Sequence, residues 1–291
     1  MEYFLTQLIN GLAIGSIYAL LSVGYSIIYS ILQLINFAHG DLCAVGVFIC
    51  FTVLTLTGNV FLALIAACLF GALLGFAVER FAYRPVRTAS RAAPFVSAVG
   101  ASLIMRGGAQ LLWGSKTMPF PAFIPFKIFP VGGGTVNGLS VNIFAVAVLL
   151  MILVTLFVQK TKAGLAVRCV AQNIQVASLM GIPVNQVIAL VYASGAVVGV
   201  LGEIFFAAYY NSIFIGMGFL GTIKAFTACL LGGLGNLYGA FFGGIILGLV
   251  EALGAGFVSS GFRDALAYGV LILVLVIKPT GLFGMKVSEK V

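Results

Sequence analysis

The stretch INFAHGDL, Ile35 to Leu42, holds the single histidine of the chain between Asn36 and Asp41 and lies between two long uncharged runs. No charged side chain occurs from Tyr3 to Ala38 or from Leu42 to Val78. Each run exceeds the roughly 20 residues that one bilayer crossing needs. A histidine and an aspartate in hydrocarbon are costly unless hydrated, paired or facing a cavity. The stretch is therefore either a polar turn joining two membrane helices near the cytoplasmic side, or a broken helix at a pathway. On the first reading Asn36 satisfies backbone groups where one helix ends, Gly40 takes a positive φ, and Asp41 favours the N-terminus of the next helix. On the second, its polar groups gate a pore or meet a passing solute.

Composition extends the membrane reading to the whole chain. Of 291 residues, 62% are hydrophobic and 8% charged, against roughly 25% charged in an ordinary soluble domain. The apolar runs lack the alternation of a lipid-facing barrel strand, which leaves helices. The segment after Met1 has no basic n-region or small-residue cleavage site and reads as a first mature span. Candidate spans cover about 8 to 30, 42 to 57, 60 to 78, 94 to 113, 139 to 159, 185 to 208, 219 to 234, 236 to 257 and 263 to 278, eight or nine in all. The fold class is an all-α polytopic membrane helix bundle forming one domain over residues 1–291.

The net charge of +8 sits in short loops, so topology explains it better than nucleic acid. ERFAYRPVRTASR, Glu79 to Arg91, carries four arginines, and KTKAGLAVR, Lys160 to Arg168, carries three basic residues. Both read as cytoplasmic, as does the C-terminus with Lys278, Lys286 and Lys290, which places the N-terminus outside. Five cysteines lack metal-ligand spacing and read as packing residues.

Glycines recur four apart at Gly11/Gly15, Gly71/Gly75, Gly195/Gly199, Gly235/Gly239/Gly243 and Gly244/Gly248, a spacing that lets helices approach closely in lipid. A faint internal repeat pairs Gly58-Asn59 before GALLGFAVE, ending at Glu79, with Gly235-Asn236 before GIILGLVE, ending at Glu251. In the outside loop Lys116 to Gly138, phenylalanines at 120, 123, 126 and 129 align on one face of a polyproline-type segment. That stripe suits the bilayer interface, neighbouring helices or an external partner.

Glu203, Lys224 and Glu251 interrupt apolar runs. Intramembrane ionisable residues are functional candidates, so these three join Asn36, His39 and Asp41 as pathway or gate candidates. A structural reading stands beside it: Glu203 pairs with Lys224 across neighbouring spans, and Glu251 sits near a helix end. Enzyme chemistry finds little support, with one histidine, two aspartates, and no metal-ligand cluster. No GxxxxGK[ST] loop exists, so the chain by itself does not hydrolyse ATP.

Thr161 to Pro183, TKAGLAVRCVAQNIQVASLMGIP, has helix formers but no continuous apolar stretch. Val167, Val170, Ala171 and Ile174 fall on one side of a helical wheel, Arg168, Gln172 and Gln175 on another, and Gly181 with Pro183 supplies a stop. The segment is either a surface-lying amphipathic helix or a docking helix for a soluble partner. Its Ala166, Ala171, Ala177 and Gly181 are small enough for close protein contact.

This segment, the N-terminal NGLAIGSIYALLSVGYSIIYSILQLINFAHGD and the cytoplasmic ERFAYRPVR resemble the shorter permease subunit of branched-chain amino-acid ABC importers, with pieces in the same order across essentially the whole chain. The resemblance implies a subunit that binds no cofactor. Its partners would be a second permease, two cytoplasmic ATPases in which ATP and Mg act, and an external amino-acid-binding protein, all at a bacterial inner membrane. It also implies that Gly164, Arg168, Ala171, Asn173, Ala177 and Gly181 belong to a coupling helix, about 161–182, seated in an ATPase groove. Similar permeases carry urea or short amides. A rival from another class is an ion-coupled secondary transporter or channel.

Overall fold

The computed structural model describes residues 2–87, 89, 92–121, 128–131 and 134–284. Phe123, Phe126, the side chain of Phe129, Arg91, Lys286 and Lys290 lie outside the described residues. Eleven α-helices follow one another among the described residues: α1 Glu2–Leu32, α2 Ala38–Thr57, α3 Val60–Ala77, α4 Ala92–Trp113, α5 Gly138–Lys160, α6 Lys162–Gln172, α7 Ile174–Leu179, α8 Val184–Tyr210, α9 Met217–Gly232, α10 Leu237–Phe257 and α11 Arg263–Ile277. Helix α3 runs on as a π-helical turn, Val78–Tyr83. Eight of the spans are long and apolar enough to cross a membrane. Helix α9 is shorter, 16 residues or about 24 Å, and completes the passage between α8 and α10. The chain is a multi-pass membrane helix bundle.

Among the described residues, strand structure is confined to two short pairs. Met118–Pro119 pairs antiparallel with Ser212–Ile213, tying the end of α4 to the end of α8, and Ile128–Val131 pairs with Gly134–Asn137 before α5. Phe120, from the expected stripe, is buried beside the first pair.

Helix α1 is the core, with 94% of its most apolar window buried. Small residues make that possible. A Cβ on Gly15 would lie 2.8 Å from the Ile245 backbone, and one on Gly11 3.0 Å from the Leu249 Cα, so α1 and α10 meet backbone to backbone. Gly75 does the same for α3 against the Tyr192 carbonyl of α8, and Gly195 for α8 against the Gly24 carbonyl of α1. Without such contacts apolar helices have little reason to prefer one another over lipid tails. The expected pairing of spaced glycines therefore holds, with one correction. Gly235 lies in the turn before α10 at φ +79°, a left-handed backbone that glycine adopts without strain.

The faint repeat is structural. Asn59 caps α3 by accepting from the Leu62 N–H, and Asn236 caps α10 by accepting from the Tyr238 and Gly239 N–H groups. Contacts obey the same exchange: α1 packs on α10 as α8 packs on α3, α2 on α8 as α9 on α1, and α2 on α3 as α9 on α10. Successive crossings alternate in direction, so α1–α3 and α8–α10 traverse the bilayer oppositely. They form an inverted repeat whose axis passes where α2 meets α9. There the Gly40 N–H donates to Thr222 Oγ1 at 3.0 Å, and neither Gly40 nor Gly218 has room for a Cβ. Gly40 is helical, not in the positive-φ turn expected of it. Its lack of a side chain serves this approach, and the left-handed residue at the helix junction is Gln33, φ 51°.

Candidate functional site

INFAHGDL does join α1 to α2, but it does not stay at the end of the bundle. The Asn36 N–H donates to the Tyr25 hydroxyl at 3.1 Å. Tyr25 lies seven residues before the end of α1, about 10 Å deeper at the helical rise. The chain climbs back inside before α2 begins. Asn36 Oδ1 accepts from the Ala38 N–H at 3.0 Å, which satisfies one of the free donors at the α2 N-terminus. His39, the second residue of α2, is buried edge-on to the Tyr25 ring. A Cβ on Gly199 would lie 2.8 Å from its Nε2, so α8 closes over the imidazole.

Asp41, in the first turn of α2, is buried and accepts from the Ser102 hydroxyl and from Arg106 Nη2 at 3.0 Å, both on α4. The Arg106 side chain is 30% exposed and its guanidinium carbon lies 5.2 Å from the centre of the Phe219 ring on α9. Glu203 on α8 is fully buried. Its Oε2 would lie 2.6 Å from a Cβ on Gly221, and among the described residues neither oxygen has a hydrogen-bond partner. Asp41 thus stands in the first turn of α2, where the amide dipoles present partial positive charge, and Glu203 stands against Gly221, the fifth residue of α9.

Glu203 does not pair with Lys224. Lys224 instead bonds Glu251 and reaches Asp264 Oδ1 at 2.6 Å. Glu251 is not a helix-end residue; it is fully buried. Its Oε2 accepts from the Tyr18 hydroxyl and from Arg263 Nε, each at 2.9 Å. Arg263 also donates to the Tyr210 hydroxyl at 2.8 Å. One buried carboxylate so gathers α1, α9 and α11 around α10, with every close charge paired.

Helix α9 is therefore bridged to α4 through Phe219 and Arg106, and to α11 through Lys224 and Asp264. All six sequence candidates, Asn36, His39, Asp41, Glu203, Lys224 and Glu251, are buried. The exposed charges beside them are Arg106 and, at 68% and 27%, Asp264 and Arg263. Sequence reasoning passed over these three. Arg106 interrupts a predicted span and carried the same signal as Lys224, whereas Arg263 and Asp264 fell at a span boundary where charge is unremarked.

At the basic end, the segment expected to be one coupling helix is two helices. Asn173 breaks it, with its Oδ1 accepting from the Gln175 and Val176 N–H groups as the N-cap of α7. That amide is spent internally. Val167 and Val170 are buried as the wheel requires, but the break turns Ile174 outward. Gly164 is buried so close to the Phe157 and Val158 carbonyls that a Cβ does not fit, Ala171 is half-buried, and Ala177 is buried. Arg168 is exposed, its Nη2 only 3.4 Å from the Gln159 carbonyl. Gly181 ends the segment at φ +78° with open space around it. The exposed tip is apolar: Leu179 is 86% and Met180 78% exposed. Helix α6 packs on α1, α5 and α8, and α7 on α8.

The profile of the family described as "Branched-chain amino acid transport system / permease component" matches residues 7–276. The chain is 38% identical, over 99% of its length and 98% of the relative's, to the high-affinity branched-chain amino acid transport system permease protein BraD of Pseudomonas aeruginosa. It is 35% identical, over the same shares, to the corresponding protein LivH of Escherichia coli K12. A probable branched-chain amino acid transport permease protein of Methanocaldococcus jannaschii is 30% identical over 93% of this chain and 90% of its own. The chain belongs to the family of branched-chain amino acid transport permease components.

Proposed function

We propose that this chain is one of two permease subunits of an ABC importer that brings a branched-chain amino acid across a bacterial inner membrane. A second, related permease completes the pore, two cytoplasmic ATPases bind the α6–α7 segment, and an external binding protein delivers the solute. Leu179 and Met180 carry the reading. They stand bare at the tip of a short helix, while the residues behind them are packed against the bundle. An apolar helix tip of this kind suits a groove on a protein partner.

Force entering at α7 passes to α8 directly and to α1 through α6. These two antiparallel helices clasp His39 and hold Glu203 against α9. Moving α1 and α8 therefore moves the deep starts of α2 and α9, the elements that bear the polar groups. Such motion does work only if nucleotide favours one arrangement of the ATPases over the other.

The test is reconstitution. Vesicles holding both permeases and both ATPases should accumulate leucine only with ATP on the ATPase side and loaded binding protein on the other. Leu179→Asp should uncouple ATP hydrolysis from uptake with membrane insertion intact. Accumulation without ATPases would overturn the proposal in favour of a secondary transporter.

A further inference from the structure

Arg106 lies 14 residues into the 22-residue helix α4, about 10 Å from its far end at the helical rise. A guanidinium at that depth does not face acyl chains without a large cost. Asp41 neutralises it along one edge, receiving Nε at 3.4 Å and Nη2 at 3.0 Å. Nη1 has no protein acceptor among the described residues, and the side chain is 30% exposed. Phe219, whose ring centre lies 5.2 Å from the guanidinium carbon, and the next residue, Leu220, are 41% and 45% exposed on the first turn of α9. The open face thus presents fixed, charge-compensated N–H donors next to an apolar surface.

We propose that this face is a binding station for the solute in transit: the free edge of Arg106 receives the α-carboxylate of an amino acid, and Phe219 with Leu220 receives its aliphatic side chain. The station rests on the permease reading above. A planar guanidinium suits a planar carboxylate. Its pairing with Asp41 keeps the attraction moderate, which a pathway needs if the solute is to leave again. The same geometry disfavours a solute lacking a carboxylate, such as urea or a simple amide.

The experiment uses the assembled importer with Leu220→Cys and a membrane-impermeant thiol reagent. The native cysteines are buried or half-buried, and the unmodified importer sets the background. Cys at 220 should react from water, free leucine should slow the reaction, and leucinol, which lacks the carboxylate, should not. Arg106→Lys keeps a cation beside Asp41, so the complex should assemble. Loss of the second donor edge should raise the leucine needed for half-protection about tenfold or more, as expected for lost charge-assisted hydrogen bonds. Arg106→Gln should abolish protection.

Equal protection by leucinol, or unchanged protection in both Arg106 variants, would overturn the station. So would an inert cysteine, which would mean that protein or lipid covers the face. Failure of both variants to assemble with the second permease would overturn it too, making Arg106 an assembly contact. Failure of the unmodified importer to accumulate leucine on ATP would instead strike the permease reading itself.

Discussion

Removing the Glu251 side chain is the sharpest test of how the bundle is held. Glu251→Ala leaves three donors without their acceptor: the Lys224 ammonium, Arg263 Nε and the Tyr18 hydroxyl. Breaking a buried pair from one side costs about 3–5 kcal/mol because an uncompensated charge remains. Here Asp264 still holds Lys224, and Tyr210 still holds Arg263, which puts the loss at the lower end, about 3 kcal/mol. Asp264→Ala should cost under about 1 kcal/mol, since that carboxylate is 68% exposed and Glu251 remains. The double variant Lys224→Met/Glu251→Leu should recover much of the loss, because apolar residues of similar volume often replace a buried pair at little cost. The assay is the temperature at which half the detergent-solubilised protein stops eluting as a single species. Glu251→Ala should fall on the order of 10 °C, Asp264→Ala far less, and the double variant should lie between. Equal falls for Glu251→Ala and Asp264→Ala, or a double variant as unstable as Glu251→Ala, would refute the reasoning.

Two further outcomes follow from the packing. Gly15→Leu should disrupt the α1–α10 contact, because the first added carbon already meets the Ile245 backbone at 2.8 Å; overpacking of this kind costs about 1–3 kcal/mol or more, read as reduced thermal stability, while Gly107→Leu on α4, with open space around it, should leave stability unchanged. Asn173→Ala should remove the cap that starts α7, weakening that helix by about 1 kcal/mol, and amide exchange should quicken from Ile174 to Leu179 while α8 keeps its protection.

Much of the bundle was legible because a membrane imposes few solutions. Uncharged runs beyond twenty residues must be helices, and helices that bury α1 so deeply must be lined with Gly11, Gly15, Gly244 and Gly248 or their like. The stop at Gly181 and the buried Val167 and Val170 were likewise readable, since each is local chemistry between near neighbours in the chain. Intramembrane charges announced themselves by cost alone.

What the sequence by itself determined was where the crossings lie, eight or nine of them, the surfaces close enough to need glycine, and which residues had to find polar company. Which company they found was decided only in three dimensions. Lys224 chose Glu251 and Asp264 over Glu203, Asp41 found Arg106 and Ser102 on α4, and Gly40 proved to be a point of contact with Gly218 rather than a bend. The reason is that burial cost belongs to one residue and is written in its own stretch of chain. Pairing depends on the depth and rotation of helices far apart in the chain, as Tyr18 and Glu251 are at 233 residues, which no short stretch records.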